Sequence, residues 1–114
     1  MSDESRFSLK ELESIYAGDE EGLREILALF LEDAPERVET LKSGMEMEEI
    51  PRAAKAAHGL ANLLGAIRNH PGVEAARETE RALNAGSLRT ARSFASRCEK
   101  EVEAALKSIG ERGT

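Results

Sequence analysis

His58, His70 and Cys98 are the imidazoles and the thiol of this 114-residue chain, and any nucleophilic, acid–base or soft-metal chemistry must use them or lean on carboxylates. A single cysteine excludes an internal disulfide and cannot support a multi-thiolate metal site. Cys98 falls in step with Ala91, Ala95, Val102 and Ala105, so it reads as a small core residue rather than a redox group. His70 precedes Pro71 in a connection between helices and reads as a polar loop residue or helix cap. The acidic runs Asp19-Glu20-Glu21 and Glu46, Glu48, Glu49 lie near helix starts, where negative charge suits the macrodipole, and read as solvated caps.

His58 is different. At about 100° per residue, Ala53, Ala57, Leu60, Leu64 and Ile67 gather within roughly 40° of one direction, and His58 falls about 140° away. Helical phase therefore turns the imidazole outward. Ala54, Lys55, Ala61, Asn62 and Gly65 share its side, and all but Lys55 are small or short. A solvated helix face usually carries long charged side chains, and a mid-helix glycine costs about 0.8–1 kcal/mol against alanine. Gly59 and Gly65 both accept that cost, so the pattern predicts a flat docking face with one imidazole rising from it. No Ser, Cys, Asp or Glu lies three or four positions from His58, and no second histidine follows at i+4. A catalytic pair or metal pair within the helix is thereby excluded. What remains is a nucleophile acting on a group carried by a partner, or an incidental surface histidine.

The elements that must hold His58 in place are helices, since Ala, Leu and Glu abound and β-branched runs are absent. Ser8-Leu9-Lys10-Glu11 has capping-box spacing and opens a short helix with Leu9, Leu12, Ile15 and Tyr16 on one stripe, ending near Gly18. Asp19 caps a long second helix with Leu23, Ile26, Leu27, Phe30, Ala34, Val38 and Leu41 inward, bent or broken at Pro35 and ending at Ser43-Gly44. A third begins between Met47 and Pro51 and carries His58. Residues 68–72 break the chain, and a fourth helix runs from Pro71 to about Ala85 with Val73, Ala76, Thr79 and Leu83 inward. Gly86 closes it, Ser87 caps a fifth helix reaching Ile109, and the tail from Gly110 is expected to fray. These elements predict an all-α fold, an antiparallel four-helix bundle with a short additional N-terminal helix. It forms a single domain over 1–114, with its core at about 8–109.

Composition narrows the partners. The formal charge of −6 opposes a duplex or membrane-surface role, because both require a dense cationic patch. One tyrosine and three phenylalanines are too few for a stacking platform on single-stranded nucleic acid. No apolar run approaches signal-peptide or membrane-span length, so no nucleic-acid or membrane partner is expected and the chain reads as cytoplasmic.

With these residues in view, the stretch from Gly18 to Gly86 resembles a histidine-containing phosphotransfer (HPt) domain of bacterial two-component phosphorelays. Residues 29–36 (Leu29-Phe30-Leu31-Glu32-Asp33-Ala34-Pro35-Glu36) resemble the family's second helix, and residues 53–60, ending in His58-Gly59-Leu60, its histidine-bearing helix. Leu64-Gly65-Ala66-Ile67, Glu80 and Gly86 resemble the helix end and following hairpin. The resemblance implies that His58 accepts a phosphoryl group from a receiver-domain aspartate and passes it to another receiver. It implies response-regulator receiver domains and a hybrid sensor histidine kinase as partners, no kinase activity in this chain, a monomer, and Mg²⁺ on the receiver only. One departure stands out: the family's His-x-Leu-Lys-Gly reads His58-Gly59-Leu60-Ala61-Asn62 here. The missing lysine leads to the expectation that Lys55 and Asn62 together hold the phosphoryl group, with Ala54, Gly59, Ala61 and Gly65 meeting the partner. The alternative is a degenerate docking module that binds a receiver or kinase without being phosphorylated.

Overall fold

The computed structural model describes residues 7–112, and among the described residues there are five α-helices and no strand. They are α1 (Leu9–Ile15), α2 (Glu20–Glu46), α3 (Ile50–Ala66), α4 (His70–Asn84) and α5 (Leu88–Arg112). Side-chain caps open three of them as expected. Ser8 Oγ accepts from the Glu11 N–H at 3.1 Å, Asp19 Oδ1 from the Gly22 N–H at 3.0 Å, and Ser87 Oγ from the Thr90 N–H at 3.4 Å. Pro51 sits in the first turn of α3, where a missing N–H is harmless. Pro35 lies inside α2, which runs through it unbroken.

α3 packs between α2 and α4, and α5 completes the ring against α4 and α2. Neighbours run antiparallel: Gly44 of α2 meets Ala53 of α3, and Arg37 meets Gly59, so rising numbers on one helix match falling numbers on the other. His58–Glu80 and Gly65–Val73 show the same between α3 and α4. The α3 stripe of Ala53, Ala57, Leu60, Leu64 and Ile67 is buried throughout, together with Phe30, Leu83, Cys98 and Val102 from the surrounding helices. Each fully buried leucine among them contributes roughly 1.5–3 kcal/mol against exposure. α1 lies on this bundle through Leu12, with Leu9 and Tyr16 only partly covered and Ile15 exposed. At about 100° per residue Ile15 stands roughly 120° round the helix from Leu9, at the edge of the stripe. Arg112, at the end of α5, instead ties α1 down by pairing with Glu13 at 2.8 Å and with Glu20 at 2.9 Å.

The end of α2 differs from expectation, while the breaks expected at residues 68–72 and at Gly86 are observed. α2 continues past Gly44 to Glu46, and the turn is made by Glu48 with φ 56°. The Glu48 N–H donates to Met45 O and the Glu49 N–H to Gly44 O, the paired bonds of a Schellman cap. α3 closes the same way on Arg68 (φ 63°), whose N–H donates to Gly65 O while that of Asn69 donates to Leu64 O. α4 repeats the motif on Gly86 (φ 82°), which was legible because it is glycine. α4 also starts earlier than expected, at His70. Its cap is the fully buried Asn69, which accepts from the Gly72 N–H at 2.9 Å and donates to Glu101 Oε1 of α5 at 3.2 Å. α5 does not fray at Gly110 but continues to Arg112; Gly113 and Thr114 lie outside the described residues, as do residues 1–6.

Candidate functional site

α3 buries one stripe between its neighbours and presents His58 on the opposite side, with 63% of the imidazole side chain exposed. The outward phase read from the sequence is thus observed. The partner absent from its own helix comes from α4: Glu80 Oε1 lies 3.2 Å from His58 Nδ1. A carboxylate can only accept, so this hydrogen bond requires the proton on Nδ1 and leaves the lone pair of the neutral ring on Nε2. A surface histidine with a fixed ring and a directed nitrogen lone pair can act as a nucleophile without a local base. It can also keep its Nδ1 proton while a group is attached at Nε2, and the adjacent carboxylate stabilises the resulting imidazolium.

Around His58 the small-residue face is narrower than the phase diagram predicts. Ala54 and Ala61 are buried, because the flanking helices close over the edges of α3. Gly59 is half-buried under Arg37: a Cβ there would fall 2.7–2.9 Å from the Arg37 side chain. Gly65 and Asn62 are exposed. Two shallow grooves flank α3. The α3–α4 groove gathers His58, Ala61, Asn62, Arg77, Glu80 and Arg81. Lys55 lines the other, the α2–α3 groove, beside Asp33, Glu36, Arg37 and Arg52. The structure therefore brings Asn62 into one depression with His58 and puts Lys55 in the neighbouring one. Arg77, Arg81 and Arg37 escaped the residue-by-residue reading, since each reaches the site from another helix. The only sequence trace of the first two is the polar stripe Arg77, Glu80, Arg81, Asn84, spaced to share one face of α4.

The remaining candidates sit apart. His70 is the exposed first residue of α4, and the capping is done by Asn69. Cys98 is fully buried in α5, and burial, aided by Glu101 and Glu99, pushes its thiol up to about 12, so the nucleophilic thiolate is suppressed. Among the described residues, no group of three or more His, Cys, Asp or Glu side chains converges to hold a metal ion, and no helix is long and apolar enough to cross a membrane.

The family model described as "Hpt domain" matches residues 25–108, well over half of the chain. The chain belongs to the Hpt domain family. Hpt domains are the histidine phosphotransfer modules of phosphorelays and interact with receiver domains and histidine kinases. In this Hpt domain the match takes in α3 and α4 whole, and with them His58, Glu80 and the groove between them, while α1 lies outside it. No match was found among curated proteins or among solved structures.

Proposed function

We propose that this Hpt domain relays a phosphoryl group on His58 Nε2, taking it from an aspartyl phosphate of one receiver domain and delivering it to the aspartate of another. The observation that carries the reading is the exposed imidazole whose Nδ1 is engaged by Glu80, which leaves Nε2 as the ring nitrogen with a lone pair to offer. In the forward step Nε2 attacks phosphorus, the P–O bond to the aspartyl carboxyl breaks, and the carboxylate leaves with the electron pair. The proton on Nδ1 stays there, so no general base is consumed. In the reverse sense an aspartate oxygen attacks phosphorus and the P–N pair returns to Nε2. Phosphoryl transfer of this kind depends on positioning and charge stabilisation, and the receiver would contribute its own Mg²⁺.

The chain acts in this reading as a monomeric cytoplasmic carrier between a hybrid sensor histidine kinase and a response regulator, with no kinase activity of its own. Lys55 and Asn62 contact the phosphoryl group or the receiver, and Gly65 leaves room for the receiver's approach. Transfer from a labelled, phosphorylated receiver to wild type and to His58→Gln tests it. Label on wild type alone, stable in base and lost in acid, is the expected result for a phosphoramidate. Absence of label from receivers that demonstrably bind would sink the carrier reading and leave a docking module, with Ala61 the point where the site lost its charge.

A further inference from the structure

A phosphoryl group on His58 Nε2 brings negative charge to a groove that already holds the Glu80 carboxylate, and α3 offers no cation one turn beyond the histidine, where Ala61 and Asn62 stand. The register of α3 against α4 shows what does stand there. His58 pairs with Glu80, and seven residues on, Gly65 faces Val73, seven residues back. Between these two fixed points, Ala61, three residues after His58, comes level with Arg77, three residues before Glu80. Arg77 is exposed, lines the same groove as His58, and makes no ion pair with any described residue. Arg81, the groove's other cation, is engaged by Glu78 of its own helix. Ala61, the α3 residue level with Arg77, is a short, buried side chain that does not fill the groove, and Asn62 beside it is the only other α3 side chain after His58 that lines it among the described residues.

Resting on the carrier reading above, we propose that Arg77 is the phosphoryl-binding residue of this site: its guanidinium reaches across the α3–α4 groove over Ala61 and holds the phosphoryl oxygens as the group arrives at His58 Nε2. A planar guanidinium offers paired N–H donors that match two phosphoryl oxygens, and it stays charged at every working pH. The cation is supplied from the neighbouring helix, so its position depends on helix register rather than on spacing along α3.

Phosphoramidate, a small phosphodonor, separates this role from receiver docking. Nε2 attacks phosphorus, the donor's P–N bond breaks, and ammonia leaves with the electron pair. Wild type, Arg77→Ala, Arg77→Lys and Arg89→Ala are incubated with phosphoramidate while phosphohistidine formation is followed by ³¹P NMR. Thermal unfolding of each variant is recorded alongside. Arg89 is an exposed residue of α5 outside the groove, and its removal controls for net charge. Arg77→Ala is expected to label about five- to tenfold more slowly, with Arg77→Lys recovering part of the rate and the gap narrowing as salt is raised. Arg89→Ala is expected to label like wild type. Wild-type labelling of Arg77→Ala would overturn the assignment while leaving His58 as acceptor. So would an equal loss in Arg77→Lys or in Arg89→Ala. Wild type that takes label from neither phosphoramidate nor a phosphorylated receiver would overturn the carrier reading itself, and this assignment with it.

Discussion

At the α2–α3 crossing, a Cβ on Gly44 would come within 3.0–3.1 Å of the Cβ, Cα and N of Ala53. On the α3–α4 side, a Cβ on Gly65 would meet only Val73 Cγ2, at 3.7 Å, an ordinary contact. Both glycines lie in the last turn of long helices, where glycine costs up to about 0.8–1 kcal/mol against alanine. Gly44 offsets it by letting two backbones approach, so its absent side chain belongs to the fold. Gly65 has no such return within the chain. At Gly44 the α2–α3 crossing is closed by packing. The α3–α4 side keeps an exposed imidazole, an exposed glycine and a groove whose polar residues come from α4. In the proposed relay that glycine, two turns from the exposed histidine, would leave room for the receiver's approach.

The largest effect is expected on the α3–α4 side: His58→Gln should abolish labelling by receiver and by phosphoramidate alike. Because the ring is mostly exposed, unfolding stability should change by no more than about 0.5 kcal/mol. Parallel losses of stability and label would mean that the imidazole serves the bundle. At the closed crossing, Gly44→Val should destabilise by about 1–3 kcal/mol in urea unfolding, since the Ala53 backbone cannot yield as a flexible side chain would. A neutral result there would erase the distinction between the two glycines.

Smaller effects grade the site itself. Lys55→Ala and Asn62→Ala should each slow transfer from a phosphorylated receiver several-fold, measured as initial rates. Unchanged rates in both would remove these residues from the site and leave its charge to Arg77. Gly65→Ala should raise unfolding stability by about 0.5–1 kcal/mol, because the added methyl meets no obstacle within the chain. The same variant should slow receiver transfer. A gain in stability with full transfer would show that no partner backbone approaches there.

What could be read without the structure follows from local rules. The phase of His58 against Ala53, Ala57, Leu60, Leu64 and Ile67 needs only the helical repeat, and the caps at Ser8, Asp19 and Ser87 need only short-range hydrogen bonds. The helix end at Glu48 was opaque because this residue adopts a left-handed conformation that glycine usually signals; Arg68 does the same, but Pro71 and Gly72 marked the break there. Gly44 misled for the complementary reason. It is glycine for packing, and a stop signal and a close approach look alike in one dimension. Asn69 looks like part of a break in the sequence but is a buried cap, since its bond to Glu101 joins residues far apart in the chain.

The site divides along the same line. The amino-acid order determined that a histidine would face outward from the third helix of an acidic all-α bundle, with small residues beside it and no acid–base partner on its own helix. Only the tertiary structure decided that Glu80 would hold Nδ1, that Arg37 would cover Gly59, that Ala54 and Ala61 would be buried, and that Arg77 would come level with Ala61. Helical periodicity sets the direction of each side chain about its own axis. The rotation and sliding of one helix on another are set by the packing of both surfaces, a property of the pair that neither helix carries alone.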